Sequence, residues 1–195
     1  MFWDYRTPGI PDELFETNQE VPITKEEIRA IAVSKLRLKE GFAAIDIGCG
    51  SGSITVEICL QTRSDKIYAI DFNEKAIDLT KKNLNKFGVK ASTIMARAED
   101  VLPTLPKVQA IMIGGSWGNI HQILNLAIDK LANGGRIVID TILIETIFKA
   151  HDALKNSGMC SIDITQATIS KGRQVTTGTM MVARNPVTIL SATKP

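Results

Sequence analysis

Two hydrophobic periods alternate along this chain. Apolar runs of strand length, Ala43–Ile47, Lys66–Ile70, Ala91–Met95, Val108–Ile113 and Arg136–Thr141, are separated by longer stretches with helical spacing: Ser53–Leu60, Glu74–Phe87, Asn119–Leu131 and Glu145–Asn156. Gly88 and Gly134 stand where helix C-caps are expected. Ahead of these, Pro8, Gly9, Pro11 and Pro22 predict an irregular segment over 1–23. Thr24-Lys-Glu-Glu27 then reads as a capping box, opening a helix with Ile28, Ile31, Ala32 and Leu36 on one face. Strand and helix in alternation predict a parallel sheet with right-handed crossovers. The end of the chain changes character. Met159–Thr168 and Thr179–Ala183 read as strands joined by Ile169–Gly178 with no helix between, which predicts antiparallel pairing.

The expected fold class is therefore α/β and Rossmann-like, with a seven-stranded, mostly parallel sheet closed by an antiparallel strand pair. Five parallel units closed in this way fit a class I methyltransferase better than a dehydrogenase half. One domain over 1–195 is expected: an N-terminal segment and helix at 1–40, a parallel core at 41–157, and closing strands and tail at 158–195. A length of 195 residues agrees with one domain. A net charge of +2 gives no reason to expect nucleic acid. The three cysteines, Cys49, Cys59 and Cys160, have no metal-ligand or C-x-x-C spacing. They predict reduced thiols and no metal site. No apolar run is long enough to cross a membrane, and Met1–Asp4 lacks the basic start of a secretion signal. The expected location is the cytoplasm.

The sharpest motif is Asp46-Ile-Gly48-Cys49-Gly50-Ser51-Gly52, between a predicted strand and a predicted helix. Exposed amides at such a turn attract an anionic group. The spacing is Gly-x-Gly-x-Gly, and Ser53 stands where a dinucleotide fingerprint has its third glycine. A pyrophosphate is therefore disfavoured against the carboxylate of S-adenosylmethionine. Asp71 ends the second predicted strand, nineteen residues after Gly52, where a carboxylate can accept both ribose hydroxyls. Asp46 either orients the cationic end of the cofactor or braces the loop. His121 and His151 lie in predicted helices without a partner acid.

The segments Asp46–Gly52, Tyr68–Asp71, Gly114-Gly-Ser116 and Leu131–Gly135 resemble class I methyltransferases generally. Ile10–Glu13, Val21–Thr24, Thr141–Thr146 and Gly178–Pro186 resemble the CbiT-type family more specifically. These are the decarboxylating cobalt-precorrin C15-methyltransferases of anaerobic cobalamin biosynthesis, and the resemblance covers nearly the whole chain. It implies S-adenosylmethionine contacts at Thr24, Gly48 to Gly52, Asp71 and Ala98, the last through its backbone beside adenine. It also implies a homo-oligomer, a tetramer, with no nucleic-acid or membrane partner. Two residues depart from the family. Arg97 replaces an acid that could accept from the adenine amino group, and Trp117-Gly118 replaces a glycine pair.

The implied substrate is a tetrapyrrole bearing many carboxylates. Its own ring carbon is the nucleophile, so no catalytic Ser, Cys or His is required and none is assigned. Gly115, Ser116 and Trp117 follow the fourth strand, where open α/β sheets bind ligands. Trp117 lies either against the macrocycle or beneath a loop. Arg6, Lys25, Lys171, Arg173 and Arg184 are candidates to hold carboxylates, with Lys171-Gly-Arg173 the best local pair. An RNA methyltransferase is the alternative reading on the same core.

Overall fold

The structure, a computed structural model, describes residues 3–115 and 119–195. Its centre is a sheet of seven strands in the order β3-β2-β1-β4-β5-β9-β6. The parallel part comprises β1 (Ala44–Ile47), β2 (Ile67–Asp71), β3 (Ser92–Met95), β4 (Val108–Ile113) and β5 (Leu131–Thr141). β1 is buried at every position, as expected for a parallel strand covered on both faces. One face packs under α1 (Glu26–Leu36), α2 (Ser53–Thr62) and α3 (Glu74–Phe87). The other packs under α5 (Ile120–Lys130) and α6 (Ile144–Asn156). A short helix, α4 (Ala98–Val101), follows β3.

α3 shows how local chemistry sets these bounds. Asn73 accepts from the Lys75 amide at 3.0 Å to start the helix, and Gly88 ends it at φ +66°. α2 is buried almost all round, so its polar residues Ser53, Thr55, Glu57 and Thr62 are internal.

The expected class I methyltransferase fold is present, and four local expectations are corrected. The closing pair is β6 (Cys160–Ala167) with β9 (Val187–Thr193), and β9 lies between β5 and β6, antiparallel to both. Thr179–Ala183 does not enter that sheet. It belongs to β8 (Gly178–Ala183), which pairs with β7 (Ser170–Val175) as a separate hairpin. Ile189, Leu190 and Ala192 fill the slot in the large sheet with no exposed surface, while Met180, Met181 and Val182 remain exposed. Burial between two strands selected the β9 run over the equally apolar β8 run.

The Thr24 capping box is not formed, because α1 begins at Glu26 with Lys25 at its cap and no side-chain cap bond. The Glu27 carboxylate is drawn instead to Lys171 at 2.8 Å and Arg184 at 3.1 Å, so tertiary charge pairing wins over the local motif. Gly134 is not a helix cap either. α5 ends at Lys130 with Leu131 as its cap, and the Gly134 amide donates to the Lys194 carbonyl at 2.8 Å within the irregular start of β5. Lys171 and Arg173 therefore lie in a strand, not in a connection.

Candidate active site

The C-terminal ends of β1, β2, β4 and β5 open into a cavity of about 900 Å³. Its floor is the turn from β1 to α2. Gly48 has φ +72°, and a Cβ there would lie 2.7 Å from the Gly115 amide nitrogen. The loops after β1 and β4 thus touch backbone to backbone, which only glycine allows. Gly52 has φ +75° and caps α2, and its missing Cβ would meet Thr80 at 2.8 Å.

Side chains of α3 hold this turn from behind. The Thr80 hydroxyl donates to the Gly50 carbonyl at 3.0 Å. The Asn83 amide donates to the Ser51 carbonyl at 2.8 Å and to the Glu16 carbonyl at 3.0 Å, and it accepts from the Glu16 amide at 2.7 Å. Cys49 is buried with its sulfur 3.4 Å from the Thr80 hydroxyl. Burial pushes the Cys49 thiol far above its usual range, so Cys49 is a packing residue and not a nucleophile.

Asp71 is 8% exposed and faces the cavity from the end of β2. One carboxylate oxygen accepts from the Gly50 amide at 3.1 Å, the other from the Asn73 amide at 3.0 Å. Each oxygen keeps a further lone pair for a ligand hydroxyl. Asp46 also lines the cavity and accepts from the Thr55 hydroxyl at 2.5 Å. It can therefore brace the loop and face a ligand at once. Burial, with Asp71 adding to it, raises Asp46 from 3.8 to about 7.

That shift carries a stability signature. Between pH 4 and 7 the unfolded chain has released a proton that folded Asp46 still holds, so stability falls as pH rises through this window. Asp46→Asn removes the contribution. The variant is expected to gain on wild type by up to about 4 kcal/mol between pH 4 and pH 8, the ceiling set by ~1.4 kcal/mol per pH unit. Urea unfolding at a series of pH values reads this directly. Parallel curves for the two proteins would show that the Asp46 proton is not coupled to folding.

A second, smaller cavity adjoins the first through Gly48, Asp71 and Gly115. Ala98, the first residue of α4, lines it with Phe72 and Arg97. The Arg97 guanidinium lies 5.6 Å from the centre of the Phe72 ring, so the departure at 97 is turned onto an aromatic face.

A lid covers the large cavity from the N-terminal side. Val21, Pro22, Ile23 and Thr24 line it, and the Pro22 carbonyl would lie 3.3 Å from a Cβ on Gly50. This lid is anchored by a buried ion pair. Arg29 donates to Glu57 at 2.7 Å and to Asp12 at 3.2 Å, and also to the carbonyls of Thr24 and Ile10. Glu57 in turn accepts from the amides of Gly9 at 3.0 Å and Ile10 at 3.1 Å.

A family model described as a precorrin methyltransferase domain matches residues 13–194. The chain belongs to the precorrin methyltransferase family. It is an enzyme. A relative from Saccharolobus solfataricus, named "Probable cobalt-precorrin-6B C(15)-methyltransferase (decarboxylating)", is 47% identical over 199 residues and covers 100% of both chains. Among solved structures, a precorrin 8W decarboxylase from Methanobacterium thermoautotrophicum is similar at TM-score 0.89 and 36% identity, covering 94% of this chain and 98% of that one. A precorrin-6Y C5,15-methyltransferase from Geobacter metallireducens is similar at TM-score 0.90 and 30% identity, covering 98% of this chain and 100% of that one.

In this methyltransferase the residues singled out by sequence fall into four groups. Thr24, Asp46, Gly48, Cys49, Gly50, Ser51, Asp71 and Gly115 line the large cavity. Gly52 lies behind it as the cap of α2, and Ala98 lines the adjoining one. Ser116 and Trp117 lie outside the described residues. Lys171 and Arg173 do not line the cavity. Lys171 is held by Glu26 at 3.2 Å and Glu27 at 2.8 Å, and Arg173 is exposed on β7. The described cations that do line it are Lys25 and Arg184.

Arg29, Glu57, Asn83 and Asp140 were not singled out by sequence. Asn83 has the buried Leu79 and Leu84 beside it in α3, and a polar residue among such apolar ones is the signal that could have marked it.

Proposed function

We propose that this enzyme transfers a methyl group from S-adenosylmethionine to C15 of a cobalt-precorrin and removes carbon dioxide from the C12 acetate arm, a step of anaerobic cobalamin biosynthesis. The observation that carries this reading is the full-length similarity to the relative named for that reaction. The cavity supports the cofactor. Its glycine turn leaves room beside the backbone, Asp71 offers two braced acceptors to a ribose, and the slot at Ala98 suits the edge of an adenine. When bound, the cofactor supplies an electrophilic methyl group. The protein's part is to hold the two reactants in line and keep water away.

Lys25 and Arg184 take over the role expected of Lys171 and Arg173. Each is already within reach of an acid, Lys25 of Asp12 at 3.6 Å and Arg184 of Glu27 at 3.1 Å, so each is oriented before a substrate carboxylate arrives. We take residues 1–195 as one catalytic domain. The exposed Met180, Met181, Ile142, Leu143, Ile144 and Phe148 support a homo-oligomer, which we assign as a tetramer. A cytoplasmic location suits the free thiols. Among the described residues no helix is long and apolar enough to cross a membrane.

Mass spectrometry of the product from a defined cobalt-precorrin tests the reaction. Methyl transfer alone makes the product heavier than the substrate, and coupled loss of carbon dioxide makes it lighter. The lighter product is expected. A product that is only heavier removes the decarboxylation, and methylation of RNA with no change in any cobalt-precorrin removes the substrate assignment.

A further inference from the structure

Asp140 holds a place at the cavity that no residue role described so far explains. In the sheet, Ile139 of β5 lies beside Ile113 of β4, and Ile113 beside Ile47 of β1. Asp140 therefore shares the next row with Gly114 and Gly48. Its Oδ1 would lie 3.5 Å from a Cβ on Gly114, so the glycine leaves the carboxyl open to the cavity. The neighbouring lining is apolar, with Ile113, Ile139, Ile142 and Leu143. Burial and the charge of Asp46 push Asp140 up to about 7, and no cation is among the groups that act on it. At neutral pH such a group can both give a proton and take one back.

The proposed reaction, on which this inference rests, has a proton to move. Transfer of the methyl group as a cation equivalent draws on the ring's electrons. Breaking the CH2–COO⁻ bond releases carbon dioxide and returns an electron pair to the ring, leaving the arm carbon as an exocyclic methylene. Conversion of that carbon to a methyl group needs a proton. The methylated ring carbon then sheds its hydrogen as a proton, which restores the ring's conjugation.

We propose that Asp140 is the proton carrier for this conversion. Its carboxyl gives a proton to the arm carbon, and the resulting carboxylate takes back the proton that the methylated ring carbon sheds. No net proton, oxidant or reductant is consumed, and the side chain ends as it began.

The other acids of the cavity are placed for different work. Both oxygens of Asp71 already take backbone amides, and one oxygen of Asp46 is engaged by the Thr55 hydroxyl at the loop. Asp140 stands on the β5 side of Gly114, beside the apolar lining of Ile113 and Ile139.

Asp140→Asn keeps the shape and removes the proton, while Asp140→Glu keeps the acid. Rapid-quench samples from a cobalt-precorrin turnover are read by NMR at the arm carbon, and S-adenosylhomocysteine binding is measured by calorimetry. In Asp140→Asn, methyl gain and carbon dioxide release are expected to continue while the arm carbon remains a methylene. Its conversion to methyl slows by about 100-fold or more, the usual scale of general acid catalysis. Asp140→Glu restores most of the rate, and both variants bind S-adenosylhomocysteine as wild type does. Wild-type conversion in Asp140→Asn overturns the assignment. So does equal slowing in both variants, or lost S-adenosylhomocysteine binding, because Asp140 then serves the fold or the cofactor. If wild type itself returns no methylated, decarboxylated product, the proposed reaction has failed and this step falls with it.

Discussion

Arg29→Ala is expected to destabilise the protein by about 3–5 kcal/mol, the range for removing one partner of a buried ion pair. Arg29 is 0% exposed and its neighbour Glu57 is 1% exposed. Truncation leaves the Glu57 carboxylate inside the protein with only the Gly9 and Ile10 amides for company. It also orphans the carbonyls of Ile10 and Thr24, and it removes the cation that lies 4.7 Å from the Phe15 ring centre. Glu57→Gln keeps one acceptor oxygen but turns its amide nitrogen toward the other backbone donor, so it is expected to destabilise the protein as well. Urea unfolding measures the two losses. A loss below about 1 kcal/mol for Arg29→Ala, the scale of an exposed pair, would show that the anchor contributes little. The same variant is expected to weaken cofactor binding, because the anchored segment supplies Pro22 and Thr24 to the cavity.

Asp71→Ala is expected to weaken S-adenosylhomocysteine binding by about 10- to 150-fold. Hydrogen bonds to a charged acceptor contribute roughly 1.5–3 kcal/mol, and ~1.4 kcal/mol is a decade in affinity. The structure favours the upper part of that range. Asp71 also holds the Gly50 amide, so its removal loosens the glycine turn as well as deleting the ribose acceptor. Asp71→Asn keeps one acceptor oxygen and is expected to fall between wild type and Ala. Calorimetry decides the matter, and an unchanged dissociation constant in a folded Asp71→Ala protein would take the residue out of the site.

The parts of the site legible in the sequence are those whose chemistry is local. A strand, a glycine turn and a helix start fit in nine residues, Ala44–Gly52, and Asp71 ends the next strand by the same logic. The parts that were not legible depend on distant neighbours. Arg29 and Glu57 carry no local mark of their pairing, which exists only once the fold brings α1 and α2 together. Thr24 and Glu27 make a sound capping box on paper, but Lys171 and Arg184 arrive from far along the chain and claim the glutamate. Val187–Thr193 read as tail because its period suits a strand buried on both faces, which lacks the polar alternation that advertises a half-buried one. Asp140 lacks the spacing from the glycine turn that marks Asp71, and its place at the cavity follows only from the pairing of β4 with β5.

The seat of β9 between β5 and β6 bears on how the protein comes into being on the ribosome. Both neighbours are synthesised before the strand that joins them, so for that interval β5 has an open edge and β6 has no partner in the large sheet. An emerging chain with unpaired strand edges invites pairing with other chains. The growing polypeptide can assemble β1 to β5 with their helices in order, but the last two positions of the sheet must wait and then form together. Closure of the sheet is thereby left to one segment, Val187–Thr193, which stitches β5 to β6.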